Sequence, residues 1–170
     1  EFRRVLFRSL DAEAQLRAVT ARRRQEWTIL RVPGIYGPGR LGLERLRRGD
    51  PVLAEEDAGI TNRIHVDDLV QALCLAATAP HAANRLYLLS DGAPCTSTEH
   101  LRRVATLAGL PGPVTCRLAD AADRIAPDWL AQQRRGRAVD GRRIATELGF
   151  EPRYADPTEG IRASLAASER

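Results

Sequence analysis

Apolar positions along the chain switch between helical and strand-like spacing, which is typical of an α/β fold. Residues 10–24 carry apolar side chains at roughly helical spacing and predict a helix. The short apolar runs 28–32 and 85–90 predict buried parallel strands. Between them, residues 52–66 predict extended pieces around a turn, a hairpin-like unit. The pattern therefore predicts an α/β fold in which the two buried strands lack most of their sheet.

Capping residues predict where several helices begin. Asp67 and Asp68 offer an N-cap and negative first-turn charge to a helix over residues 68–79. Thr96 and Glu99 form a capping box at the start of another helix. Further predicted helices span residues 41–48, residues 141–148 and a C-terminal segment that begins at 157.

Composition and charge narrow the function classes. Apolar content of 44% and charged content of 28% are ordinary for a globular domain. All 26 basic residues are arginine and the net charge is +4, but the arginines are scattered among acidic residues, which argues against a nucleic-acid partner. No apolar run approaches the roughly 20 residues that span a bilayer. Three widely spaced cysteines without a secretory signal indicate reduced thiols, so we expect a cytoplasmic protein without membrane partners.

The first nine residues do not resemble the rest of the chain. Residues 6–9 match what a common sequencing adapter encodes, and the chain contains no methionine. We therefore predict that residues 1–9 are a non-native sequence artefact and that residues 10–170 form the protein proper. The alternative is a genuine N-terminal strand over residues 5–7.

A glycine motif after the first predicted strand resembles a dinucleotide fingerprint. Gly37, Gly39 and Gly42 fit G-x-G-x-x-G, and acidic residues follow about 20 positions from its start. The helix behind the motif is short, because Gly49 breaks it, whereas the dinucleotide fold needs a full crossover helix. We therefore do not assign a pyrophosphate site to this loop.

Two segments carry a resemblance to a known family. RVPGIYGPG at residues 31–39 and NRIHVDD at residues 62–68 resemble segments of the extended short-chain dehydrogenase/reductases, which include NAD-dependent sugar epimerases and dehydratases. Weaker likeness extends over about residues 10–166. The resemblance implies the C-terminal part of a Rossmann-like NAD(P)-binding fold, with its last strands and a small, mostly helical substrate lobe.

The resemblance also implies cofactor contacts. Pro33, Gly34 and Ile35 would touch the nicotinamide of NAD or NADP, chiefly through their backbone. Gly34 has no Cβ and lets the main chain approach a flat ring, and Ile35 offers an apolar wall. Without the resemblance, Pro33 and Gly34 would indicate only the end of a strand.

Tyr36, Arg40 and Arg63 are the implied substrate-binding residues. An arginine in a cleft clamps a phosphate or a carboxylate through its planar fork. Arg63 departs from the family pattern, because many relatives have Asp there and Arg at the position of Asn62. His65 is expected to form structural hydrogen bonds rather than to act as an acid or base.

The family's Gly-rich loop and Tyr-x-x-x-Lys pair do not occur in the sequence. None of Tyr36, Tyr87 and Tyr154 is followed by Lys at the fourth position, and His and Cys spacings do not suit a metal, so we assign no catalytic or metal-binding residue. The expected function is that of a fragment of an NAD(P)-dependent oxidoreductase or epimerase for a sugar-nucleotide-like or other small hydroxy or carbonyl substrate. The fragment alone is expected to be inactive.

A non-catalytic binding or regulatory module from the same family is the alternative. In either case an unpaired sheet edge predicts poor solubility or a homodimer.

Overall fold

A computed structural model describes residues 2–168, with side chains from residue 10 onward. The helices are α1 (Phe2–Arg23), α2 (Leu43–Arg48), α3 (Val66–Thr78), α4 (Ser97–Leu107), α5 (Pro127–Arg134), α6 (Arg142–Leu148) and α7 (Pro157–Ser168). The strands are β1 (Thr28–Arg31), β2 (Gly34–Tyr36), β3 (Val52–Leu53), β4 (Arg63–His65), β5 (Arg85–Leu88) and β6 (Thr115–Cys116). The fold is α/β, as predicted.

The strands form three parallel pairs, in which β1 pairs with β5, β2 with β4 and β3 with β6. The predicted hairpin over residues 52–66 is wrong. Its two halves enter different sheets, because a 3₁₀ turn at Glu55–Asp57 and the following loop separate β3 from β4. Pro33 ends β1 as predicted, but Gly34 immediately begins β2.

Most predicted helix starts are confirmed, with one correction. The Thr96 Oγ1 accepts a hydrogen bond from the Glu99 backbone N–H at 2.9 Å, so Thr96 is the N-cap of α4, while the Glu99 carboxylate pairs with Arg103 rather than completing a capping box. The predicted Asp N-cap of α3 is wrong, because His65 is the N-cap and its Nδ1 accepts from the Asp67 N–H at 3.1 Å. Asp67 and Asp68 lie in the first turn, where their negative charge still complements the helix dipole.

Two clusters of buried apolar side chains hold the elements around the site. One joins β2, α2, α4 and α7 through residues that include Tyr36, Leu46, Val104 and Ile161. The other packs α3 and α6 against the β1–β5 and β2–β4 pairs. Burying one such large side chain contributes roughly 1.5–3 kcal/mol. The first cluster therefore fixes β2 and α4 relative to each other.

Helix α3 leaves part of its apolar surface exposed. Ala72 is buried, but Leu73 is 50% exposed and Val70 is 54% exposed. The described residues therefore leave Val70 and Leu73 of α3 uncovered. Homodimerisation through such a surface stays a prediction.

The first residues of α1 bear on the question of the chain start. Residues 5–7 are helical, so the alternative of a strand there is wrong. The prediction that residues 1–9 are non-native is not tested by this structure. Glu1 lies outside the described residues, and so do the side chains of residues 2–9.

Candidate functional site

A cleft of about 630 Å³ opens between β2, α2, α4 and α5. Five of the six predicted site residues line it, namely Gly34, Ile35, Tyr36, Arg40 and Arg63. Pro33 is half-buried and lies just outside the lining. The structure thus brings together residues that are up to 29 positions apart in sequence.

Strand pairing explains how the cleft gains its inner wall. In the β2–β4 pair, Gly34 lies opposite Arg63 and Tyr36 lies opposite His65. A Cβ built on Gly34 would meet only the Arg63 Cγ at 3.6 Å and the Asn62 O at 3.7 Å. The main chain of Gly34 is therefore open toward the cleft.

Arg63 is the deepest of the cleft arginines. Its Nη1 lies 3.3 Å from the Cys95 O and 3.2 Å from the Cys95 Sγ, and its Nη2 lies 3.3 Å from the Ser97 Oγ. Burial lowers the pKa of the Arg63 guanidinium from its ordinary value. Within residues 2–168, no carboxylate lies within 4 Å of the guanidinium groups of Arg40, Arg63 or Arg137.

A crossing of two loops carries Arg135 and Arg137 to the cleft. The Gly59 N–H donates to the Gln133 O at 2.8 Å, and the Arg137 N–H donates to the Ile60 O at 2.7 Å. A Cβ on Gly59 would lie 2.2 Å from the Gly136 N, so only glycine fits at this crossing. On the opposite wall the Arg45 guanidinium stacks over the Trp129 ring at 4.4 Å.

Three residues that line the cleft have a buried polar atom without a hydrogen-bond partner among the described residues. These atoms are the Tyr36 hydroxyl, the His100 Nδ1 and the Trp129 Nε1. A buried polar group without a partner costs roughly 1–3 kcal/mol. Burial also raises the pKa of Tyr36, so its phenol stays protonated. Because these three atoms are enclosed by protein, it is the cationic arginines of the cleft that suit a ligand rich in oxygen.

His65 forms structural hydrogen bonds, as predicted. Its Nδ1 accepts from the Asp67 N–H, so the proton resides on Nε2, which lies 3.0 Å from the Ser164 Oγ. Burial lowers its pKa and keeps the ring neutral. The buried Asp68 accepts from the backbone N–H groups of Arg153 and Tyr154, at 2.7 and 3.2 Å. These side chains therefore hold the start of α3 against the C-terminal segment.

The sequence reasoning missed several residues of the cleft, namely Arg45, His100, Trp129, Arg135 and Arg137. The only local signal was the phase of α4, which turns His100 inward with Leu101 and Val104. In the sequence, the arginines indicate only surface charges scattered among acidic residues. Among residues 2–168, no three His, Cys, Asp or Glu side chains could hold a metal ion together. No helix in that range is long and apolar enough to span a membrane.

No protein-family profile matches the chain. A 3-diazoavenalumate denitrifying reductase from a Streptomyces species is 32% identical over 162 residues, which is 90% of this chain and 52% of that protein. The chain spans about half the length of the curated relatives it matches.

Solved structures share the fold of this chain over about half of their own length. UDP-glucose 4-epimerase from Thermotoga maritima, solved with UDP-glucose, superposes with a TM-score of 0.72 at 20% identity. The match covers 95% of this chain and 52% of the epimerase. MoeE5 in complex with UDP-glucose and NAD gives a TM-score of 0.60 at 25% identity, over 83% of this chain and 46% of MoeE5. The chain thus shares the fold of NAD-dependent epimerases over about half of their length, which confirms its resemblance to the extended short-chain dehydrogenase/reductase family.

Proposed function

We propose that the chain is the C-terminal, substrate-binding portion of an NAD(P)-dependent oxidoreductase or epimerase. The observation that carries this proposal is the cleft. It joins the Gly34–Tyr36 strand to Arg40, Arg63 and Arg137, which have no carboxylate within 4 Å among the described residues. Such arginines are suited to a phosphate or carboxylate on the substrate.

The proposed cofactor is NAD or NADP, with its nicotinamide against Pro33, Gly34 and Ile35. The open main chain of Gly34 supports this placement, because a Cβ there would meet nothing closer than 3.6 Å. When bound, the nicotinamide supplies or accepts a hydride. The Gly-rich loop that holds the pyrophosphate in this family is absent from the 170 residues, so the chain alone offers only one wall of the cofactor site.

The residues of this chain bind and orient the substrate rather than exchange protons with it. The Tyr36 phenol holds its proton because burial raises its pKa, and no lysine is present to lower that pKa. Arg40, Arg63 and Arg137 would hold the anionic part of the substrate. The acid–base pair of the family would lie outside these residues.

A sugar nucleotide is the proposed substrate class. It combines a diphosphate for the arginines with hydroxyl groups for neutral polar side chains that line the cleft, such as Thr61 and Gln132. MoeE5 and the Thermotoga maritima epimerase were both solved with UDP-glucose.

Isothermal titration calorimetry of the chain tests this proposal. We expect UDP-glucose to bind with an affinity that falls as salt rises, and Arg63→Gln to weaken binding at least tenfold. The matched control is Arg143→Gln, because Arg143 pairs with Glu147 outside the cleft. Absence of UDP-glucose binding, or equal affinity in Arg63→Gln, would overturn the substrate site. Micromolar binding of NAD or NADP would show that the chain holds a complete cofactor site.

The alternative is a non-catalytic binding module of the same family, which the missing Tyr-x-x-x-Lys pair favours. Sequencing the gene across the junction before Leu10 separates the two. A continuous upstream frame with a Gly-rich loop and the Tyr/Lys pair supports the enzyme. A start codon just before Leu10, with a short frame, supports the module.

A further inference from the structure

His100 is a buried histidine of α4 for which the proposed function has so far given no role. It is 7% exposed and lines the cleft. Its ring lies edge-on to the Tyr36 ring, with centroids 5.6 Å apart. Its Nδ1 is buried without a hydrogen-bond partner, and no hydrogen bond within residues 2–168 reaches its Nε2 either.

A structural role does not account for this side chain. The other buried histidine, His65, uses both ring nitrogens, one at the start of α3 and one toward Ser164. The enclosed Nδ1 costs free energy that an apolar side chain would avoid, and the Nε2, which is not enclosed by protein, has no hydrogen-bond partner among the described residues. The unsatisfied ring is therefore better explained by a bound ligand than by packing.

The charge state of His100 limits the kind of group it can bind. Burial, with smaller effects from Arg63 and Arg103, lowers its pKa to about 3, so the ring is neutral at physiological pH. A neutral imidazole has one donor and one acceptor. A hydroxyl group can donate to the Nε2 or accept from it in either tautomer, whereas phosphate and carboxylate oxygens only accept and are better held by the arginines.

We propose that His100 contacts an uncharged, hydroxyl-bearing group of the substrate and sets a preference for substrates that carry such a group beside their anionic part. This inference rests on the proposed function. The cleft is then divided into two regions. The arginines hold the charged part of the substrate, and the wall formed by Tyr36 and His100 holds the neutral part.

Calorimetry with UDP-glucose and UDP as probes tests the division. In the unaltered chain, UDP-glucose should bind more tightly than UDP. His100→Phe should weaken UDP-glucose binding about tenfold and change UDP binding less than twofold. His100→Gln, which keeps a donor and an acceptor, should retain part of the preference. The control is His81→Phe, because His81 bonds to the Glu147 O away from the cleft and should leave both affinities unchanged.

Nitrogen-15 NMR of the imidazole rings in the unaltered chain gives a second readout that does not depend on a variant folding. UDP-glucose should shift the His100 ring nitrogens and UDP should not. Equal shifts with both probes, or equal loss of both affinities in His100→Phe, would overturn the role of His100 while the substrate site stands. If neither probe binds, the proposed function fails, and this inference fails with it.

Discussion

His65 and Ser164 link the start of α3 to the middle of α7, through a contact of 3.0 Å between the His65 Nε2 and the Ser164 Oγ. Because the Nδ1 of the same ring caps α3, the imidazole must donate through Nε2. Ser164 in turn donates to the Gly160 O at 2.7 Å. One neutral histidine thus joins two elements 99 residues apart in sequence.

Ser164→Ala should lower the free energy of unfolding by about 1–3 kcal/mol, because it leaves the Nε2–H of His65 buried without an acceptor. Urea denaturation followed by circular dichroism measures this change. Ser168→Ala is the control. The Ser168 hydroxyl bonds only within α7, to the Ser164 O, and its removal should cost less than about 0.5 kcal/mol. Equal effects of the two variants would contradict the assigned role of His65.

Gly59→Ala should disrupt the loop crossing that places Arg135 and Arg137. The added Cβ would lie 2.2 Å from the Gly136 N, which forces backbone to move, and such overpacking costs about 1–3 kcal/mol. We expect lower stability and at least tenfold weaker UDP-glucose binding. Gly136→Ala is the matched control, because its Cβ would meet the Gly59 Cα at an ordinary 3.6 Å. If Gly136→Ala is the more damaging of the two, the crossing geometry is wrong.

Local sequence patterns predicted the long elements of this fold and missed the short ones. Periodicity predicted most of α1 and α3, although α1 begins at Phe2 rather than at residue 10, and the Thr96 cap gave the start of α4 as well. Strands β3 and β6 have two residues each and pair across about 60 positions, so no periodicity marks them. The hairpin over residues 52–66 was wrongly predicted for the same reason, because β3 pairs with β6 and β4 pairs with β2.

The candidate site was predictable only where family motifs mark it. The segments at 31–40 and 62–68 predict Tyr36, Arg40 and Arg63 as site residues, and all three line the cleft. Arg137 could not be found in this way, because it reaches the cleft through the crossing at Gly59. The role of His100 could not be predicted from the sequence, because a histidine on the inner face of an amphipathic helix has the same local pattern as a core residue.

Tyr36→Phe should separate stability from binding. The Tyr36 hydroxyl is buried without a partner, so its removal should leave the free energy of unfolding unchanged or raise it by up to about 1 kcal/mol. Because the hydroxyl is enclosed by protein beside Gly160 of α7, the affinity for UDP-glucose should stay unchanged. Tyr87→Phe is the contrasting control, because it removes a hydrogen bond of 2.9 Å to Glu147 and should destabilise by about 1 kcal/mol. Thermal melts and calorimetry on both variants decide the point.

The exposed apolar face of α3 predicts self-association. Val70 and Leu73 are about half exposed, and replacing both by serine should raise the monomer fraction in light scattering after size exclusion. The control is Leu118→Ser, which alters an exposed apolar side chain on a different element. A chain that is already monomeric at high concentration would contradict this prediction.

Asp91 should make stability depend on pH in a definable direction. The side chain is 3% exposed, its Oδ2 has no partner among residues 2–168, and burial raises its pKa from 3.8 to about 6. Between these two values the folded chain binds more protons than the unfolded chain. The contribution of Asp91 to stability is therefore largest below about pH 4 and falls as pH rises through 6, by roughly 2–3 kcal/mol in total.

Asp91→Asn should remove this contribution while keeping an oxygen for the Ala93 N–H. Burial lowers the pKa values of His65 and His100, so their contribution to stability falls as pH falls, opposite to that of Asp91. The informative quantity is therefore the difference in the free energy of unfolding between the variant and the parent. That difference should move in favour of Asp91→Asn between pH 5 and pH 7.5 in urea titrations. The control is Asp140→Asn. A hydrogen-bonded Arg142 lowers the pKa of the exposed Asp140 to about 2, so its effect is constant over the same range. A pH-independent difference for Asp91→Asn would mean that Asp91 is already ionised at pH 5, and hence that water or a cation reaches its buried oxygen.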